Sequence, residues 1–141
     1  EVLLVDSTSL NLFKTLVAAL KMRPDRSTVI SEKSNFPSDI HIVQGGLNNF
    51  FPEKKLELSN TGDDEIVSLI NNQTAVVTLT HVDYKTGEVR NMQKITKAAQ
   101  EFGALVIWDL SIFNKLEISF LELSEIVKNK SAFINSSNFF L

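Results

Sequence analysis

Two runs of this chain stand out: residues 74–80 (TAVVTLT) make a strong strand pattern without a charge, and residues 104–109 (ALVIWD) are apolar throughout up to the closing acid. A strand of that kind is buried on both faces, which is the condition of a parallel sheet covered by helices on each side. The segments around these runs support the same architecture. Residues 1–6 (EVLLVD) read as a buried strand, and Ser7 or Ser9 can cap the helix that follows, with Leu10, Phe13, Val17 and Leu20 on one face. Arg23-Pro24-Asp25 ends that helix. Residues 27–31 form a second strand. Pro37 opens a helix continued by Ile40, Val43 and Leu47, and weakened by Gly45-Gly46. Residues 55–58 make a weaker strand, and 63–71 a short helix with acids in its first turn. Asn91 caps a helix that turns Met92, Ile95, Ala99 and Phe102 inward, and Gly103 closes it. A helix is expected over 120–128 and the start of a strand over 131–134, whereas 135–141 has no decisive pattern. The expected fold class is α/β, a mostly parallel sheet with helices on both faces, in a single domain over 1–141.

Composition removes several functions. The chain has no Cys, which excludes a disulfide framework, a thiol nucleophile and a Cys-ligated zinc. His41 and His81 lie too far apart for a local metal-binding motif. A net charge of −3 gives no electrostatic case for nucleic acid. No apolar stretch approaches the ~18 residues of a membrane span, and no signal-peptide pattern opens the chain. The expectation is a soluble intracellular protein with no membrane partner.

In a parallel sheet, ligands bind outside the carboxyl ends of the strands, so the residues that follow each strand carry the functional reading. Ser7-Thr8-Ser9 opens a helix, which suits either a phosphate or an ordinary serine cap. In Asn35-Phe36-Pro37-Ser38-Asp39, Phe36 could lie over a flat ligand and Asp39 could hydrogen-bond one; the alternative is a plain loop into a proline-started helix. Thr80 and His81 follow the fourth strand, His81 reading as a loop histidine. Asp109 ends the most apolar strand, where an acid is costly unless paired, so either a cationic ligand or a local cap or lysine partner is implied. Neither GxGxxG nor a P-loop is present. A phosphate cradle, an aromatic ring and a carboxylate at one sheet edge suit pyridoxal phosphate (PLP), with the carboxylate keeping the pyridine nitrogen protonated.

The segments 6–14 (DSTSLNLFK), 32–39 (EKSNFPSD), 79–87 (LTHVDYKTG), 95–99 (ITKAA) and 108–110 (WDL) resemble, in order and spacing, kynureninase, a family of fold-type I PLP enzymes. The resemblance runs from residue 1 to about residue 110. It implies a cytoplasmic homodimer of tryptophan catabolism that cleaves L-kynurenine to anthranilate and L-alanine. It matches Thr8 and Ser9 to the cofactor phosphate and Phe36 to the ring, with Pro37, Ser38 and Asp39 completing that segment. Thr80 is matched to a further cofactor contact and Asp109 to the pyridine nitrogen. The family pattern Asp-Leu-Ala-His reads Asp109-Leu110-Ser111-Ile112 here, and the lysine that forms the family's Schiff base has no match in 133–141. The resemblance therefore implies part of a large domain, with no catalytic residue assigned and inactivity as an isolated chain expected. Missing neighbours would leave sheet edges exposed, so association or poor solubility is expected as an alternative to the homodimer. The remaining alternatives are a degenerate relative without activity and a receiver-like signalling module suggested by 2–6 (VLLVD); the latter lacks an acid at the end of its third strand.

Overall fold

The computed structural model describes residues 7–60 and 62–111 in full, and residues 2–3, 132–134 and 139–140 as strand backbone. The elements in chain order are β1 (Val2–Leu3), α1 (Thr8–Met22), β2 (Thr28–Glu32), α2 (Pro37–Phe50), β3 (Lys55–Ser59), α3 (Asp63–Leu69), β4 (Thr74–Thr80), α4 (Met92–Glu101), β5 (Leu105–Asp109), β6 (Ala132–Ile134) and β7 (Phe139–Phe140). The strands form one sheet in the order β1-β7-β6-β5-β4-β2-β3. β2, β3, β4, β5 and β6 run parallel, β7 pairs antiparallel with β6, and β1 pairs antiparallel with β7. The sheet is therefore mostly parallel, with β7 the reversed strand among those described.

β5 and β4 lie at the centre of this sheet. Every residue of β4 and β5 is buried. Successive side chains point to opposite faces. Val76, Leu105 and Ile107 pack with Leu12, Leu16 and Leu20 of α1 and with Val43 and Leu47 of α2. Val77, Leu79, Val106 and Trp108 pack on the other face with Ile66 of α3 and with Met92, Ile95 and Ala99 of α4. The Trp108 indole N–H donates to Thr96 Oγ1 at 3.1 Å, so burying the ring leaves no donor unmet. β3 is the outer strand and carries charge at Lys55 and Glu57, as sheet edges commonly do.

Three expectations change. The buried stripe of α1 is Leu12, Leu16, Ala19 and Leu20, while Leu10 is 40% exposed and Phe13 and Val17 are half-buried. That stripe also buries Thr15, whose hydroxyl donates to the Asn11 carbonyl at 2.8 Å and so brings its own partner into the core. Phe102 does not turn inward: it lies past the last turn of α4 and is 40% exposed. The chain reverses directly after it at Gly103, whose φ of 73° is left-handed and whose added Cβ would meet Arg26 at 2.8 Å. Residues 135–141, without a decisive pattern, contain β7. The expected helix over 120–128 lies outside the described residues.

Gly45 and Gly46 do not interrupt α2, which runs through both. Gly46 faces Leu16, whereas a Cβ at Gly45 would meet nothing within 4 Å. Glycine inside a helix costs about 0.5–1 kcal/mol relative to alanine. Gly45→Ala is accordingly expected to raise the unfolding free energy by about that amount, read as a higher urea midpoint at unchanged slope.

Candidate functional site

From β2 the chain leaves toward β3, whereas from β4, its neighbour, it leaves the opposite way toward β5. Adjacent strands with diverging connections open a crevice at their carboxyl ends. The candidate site is built around that crevice.

On the β2 side the loop is stapled to β4. Asn35 donates from Nδ2 to Ser31 Oγ at 3.0 Å, and its Oδ1 accepts the Phe36 backbone N–H at 2.8 Å and the Thr80 hydroxyl. Pro37 then starts α2, where its missing N–H and fixed φ fit the first turn. The Phe36 carbonyl accepts the Asp39 N–H at 2.9 Å. This first turn buries the Asp39 side chain, which is 3% exposed, while the Phe36 ring stays 41% exposed at the rim.

On the β5 side, Asp109 stands in register with Thr80 and is 6% exposed. Its Oδ1 accepts the Ser111 N–H at 2.8 Å and the Ser111 hydroxyl at 2.5 Å. Ser111 Oγ lies 3.1 Å from Thr8 Oγ1 at the start of α1. Because Ser111 gives its one hydroxyl proton to Asp109, Thr8 is the donor in that contact. Ser7 caps α1, accepting the Leu10 N–H at 3.4 Å.

The two carboxyl groups feel each other. Burial, reinforced by the negative charge of Asp109, pushes the Asp39 carboxyl up to about 7, against a smaller opposing effect of the Ser38 hydroxyl, which donates to it at 3.2 Å. Among the described residues no ion pair joins either acid to a basic side chain. Two buried acids at one point suit a cationic ligand, because an uncompensated buried charge is costly.

The expected site residues are thus partly assembled. Asp39 and Asp109 meet, Thr8 reaches Asp109 through Ser111, and Thr80 is joined to the loop preceding Phe36 and Pro37. Ser9 is half-buried in the first turn of α1 and Pro37 is exposed, and neither takes part in these hydrogen bonds. Burial pushes the His81 imidazole below its ordinary value, and its backbone N–H donates to the Asp109 carbonyl at 2.9 Å, in keeping with a loop residue. Sequence reasoning passed over Asn35 and Ser111, because short polar residues after a strand look like ordinary turn formers. It also passed over a buried pair, Glu32 and Arg90, with Nη2 2.8 Å from Oε2 and Nε 3.3 Å from Oε1. Among the described residues no group of three His, Asp or Glu side chains is placed to hold a metal, and no helix is long and apolar enough to cross a membrane.

The chemistry present fits PLP at two points: buried acids for a protonated ring nitrogen and an exposed aromatic face for the ring. The fold agrees. SspA in complex with cysteine superposes with a TM-score of 0.71 at 13% identity, covering 98% of this chain and 42% of that one. A NifS-like protein gives 0.69 at 13% identity over 94% of this chain and 38% of that one. The SepCysS–SepCysE N-terminal domain complex gives 0.68 at 16% identity over 96% and 37%. The chain has the α/β fold of the fold-type I PLP-dependent enzymes. No family model matches it. Its sequence is 44% identical over 115 residues to the kynureninase of Pseudomonas fluorescens and 38% identical over 115 residues to that of Burkholderia pseudomallei strain K96243. The chain is kynureninase-like over the matched stretch, which is 79% of its own length and 27% of each of these relatives.

Proposed function

We propose that this chain is the cofactor-holding part of a kynureninase-like, PLP-dependent hydrolase acting on substrates of the L-kynurenine class, with anthranilate and L-alanine as products. The observation that carries this reading is the buried Asp39–Asp109 pair at the switch point of a chain with 44% identity to a kynureninase. Bound PLP supplies an electron sink for the bond that breaks. Asp109 holds the proton on the ring nitrogen, and Ser111 fixes the orientation of its carboxylate. Thr8 and Ser9 receive the phosphate at the start of α1. Phe36 covers one face of the ring, on a loop that Asn35 and Thr80 secure, and Pro37, Ser38 and Asp39 shape the turn beneath it. Since Asn35 takes the Thr80 hydroxyl proton, Thr80 offers a ligand an acceptor oxygen.

No lysine in these 141 residues matches the family's covalent anchor, so reversible binding without turnover is the behaviour expected of the isolated chain. The reading extends to a cytoplasmic homodimer in tryptophan catabolism, on the route to NAD, which sedimentation of the purified protein checks through a two-chain species. The direct test is titration with PLP, followed by quenching of Trp108, the single tryptophan. Saturable quenching is expected in the wild type. Asp109→Ala should weaken it by at least about tenfold, since losing one partner of a buried charge pair is expensive. Linear, unsaturable quenching in the wild type would reject the reading.

A further inference from the structure

We infer that Tyr84 is a positioning residue for Phe36, held in place by a rigid arm over residues 81–90 that the buried Glu32–Arg90 pair anchors. The inference rests on the proposed PLP reading for its functional consequence, and on the geometry for the rest.

The Phe36 backbone is fixed on both sides, its N–H on Asn35 Oδ1 and its carbonyl on the N–H groups of Asp39 and Ile40 at 2.9 and 3.3 Å. The ring is not: it is 41% exposed at the N-cap of a helix, with no side-chain cap bond beside it. Its aromatic neighbour is Tyr84, with centroids 5.0 Å apart and planes at 68°, an edge-to-face contact. An exposed ring held by one aromatic contact takes its orientation from that contact.

Tyr84 can serve only if its own segment is rigid, and the segment is pinned at three levels. At the tip, Asp83 Oδ1 accepts the N–H groups of Lys85 and Thr86, both at 2.8 Å, and Gly87 takes the left-handed φ of 73° that completes the turn. In the stem, the Asp83 N–H donates to the Glu88 carbonyl at 2.9 Å, and Val82 bridges Val89. At the root, the His81 N–H donates to the Asp109 carbonyl, the Arg90 N–H donates to the His81 carbonyl, and Arg90 grips Glu32 at the end of β2 with two hydrogen bonds. Arg90 and Glu32 are 3% and 2% exposed. The root therefore joins the ends of β2, β4 and β5, the strands that carry the candidate site, so Tyr84 and Phe36 share one frame.

The test uses the full chain with 13C-labelled phenylalanine, Phe36→Leu identifying the Phe36 ring signals. Tyr84→Ala should displace those signals, because the neighbouring ring current is lost, and should weaken PLP binding by roughly threefold to tenfold, the range expected for one aromatic pair. Tyr84→Phe keeps the ring and should leave both readouts at wild-type values, a distinction that a general loss of stability would not produce. Unmoved Phe36 signals in Tyr84→Ala overturn the inference, as does unchanged PLP affinity in that variant. A wild type that takes up no PLP, with Phe36 signals that still respond to Tyr84→Ala and not to Tyr84→Phe, supports the positioning role and rejects the proposed function instead.

Discussion

Arg90→Ala is expected to lower the unfolding free energy by about 3–5 kcal/mol, the largest loss of any single substitution considered for this chain. The magnitude follows from what remains behind. The Glu32 carboxylate is 2% exposed, and its oxygens accept from Arg90 Nε and Nη2, with the Ser34 hydroxyl adding a contact at 3.1 Å. Removing the guanidinium leaves that charge buried with one hydroxyl partner. Glu88, also paired with Arg90 at 2.9 Å, has a side chain 60% exposed and is solvated, so its loss adds little. The pair need not be stabilising as such, since two buried charges are costly to desolvate even when matched. The double substitution Glu32→Met with Arg90→Met should therefore recover most of the stability. Urea unfolding followed by circular dichroism distinguishes these outcomes. A single-variant loss below about 1 kcal/mol would mean that Glu32 finds water or another partner once Arg90 is gone.

The second large effect is a dependence of stability on pH that belongs to Asp39. In the folded chain Asp39 keeps its proton up to about 7, against an ordinary value of 3.8, because burial and then the charge of Asp109 oppose its ionisation. Between those values the folded state binds a proton that the unfolded state has released. Stability therefore falls as pH rises through that interval, and the full cost is present above the folded value. A shift of this size corresponds to a cost on the order of 2–4 kcal/mol at pH 8. Asp39→Asn removes the titration, so the variant should be more stable than the wild type at pH 8 and nearly equal to it at pH 4. Thermal melts across that range supply the difference curve, and parallel curves would refute the assignment. The same variant should weaken binding of a cationic ring, because it removes half of the acid pair.

Much of the fold was legible in the sequence because β4 and β5 lack the alternation of apolar and charged residues that a half-exposed strand shows, and both are buried at every position. The face of α1 was less legible for the opposite reason. Leu10, Leu12, Phe13, Leu16, Val17 and Leu20 spread over an arc of about 160° at 3.6 residues per turn, wide enough for periodicity to admit more than one stripe; the sheet chose Leu12, Leu16 and Leu20. The acids of the site could be found from their places after the strands. Their mutual approach could not, because it depends on how far the first turn of α2 carries Asp39 toward β5. Glu32 and Arg90 are separated by 58 positions, and only the strand order brings them together. Tyr84 carried a signal in the segment 79–87, but its contact with the Phe36 ring depends on a geometry that a sequence does not record.

The reversed strand β7 affects the order in which the sheet can be completed. β1, written first in the chain, finds its partner in residues 139–140. During synthesis β1 can pair there only after residue 140 has emerged. Contacts of such long sequence separation slow folding and lengthen the time a bare edge is open to other chains. Yield from a ribosome is therefore expected to be governed at this seam, far from the acids that define the site.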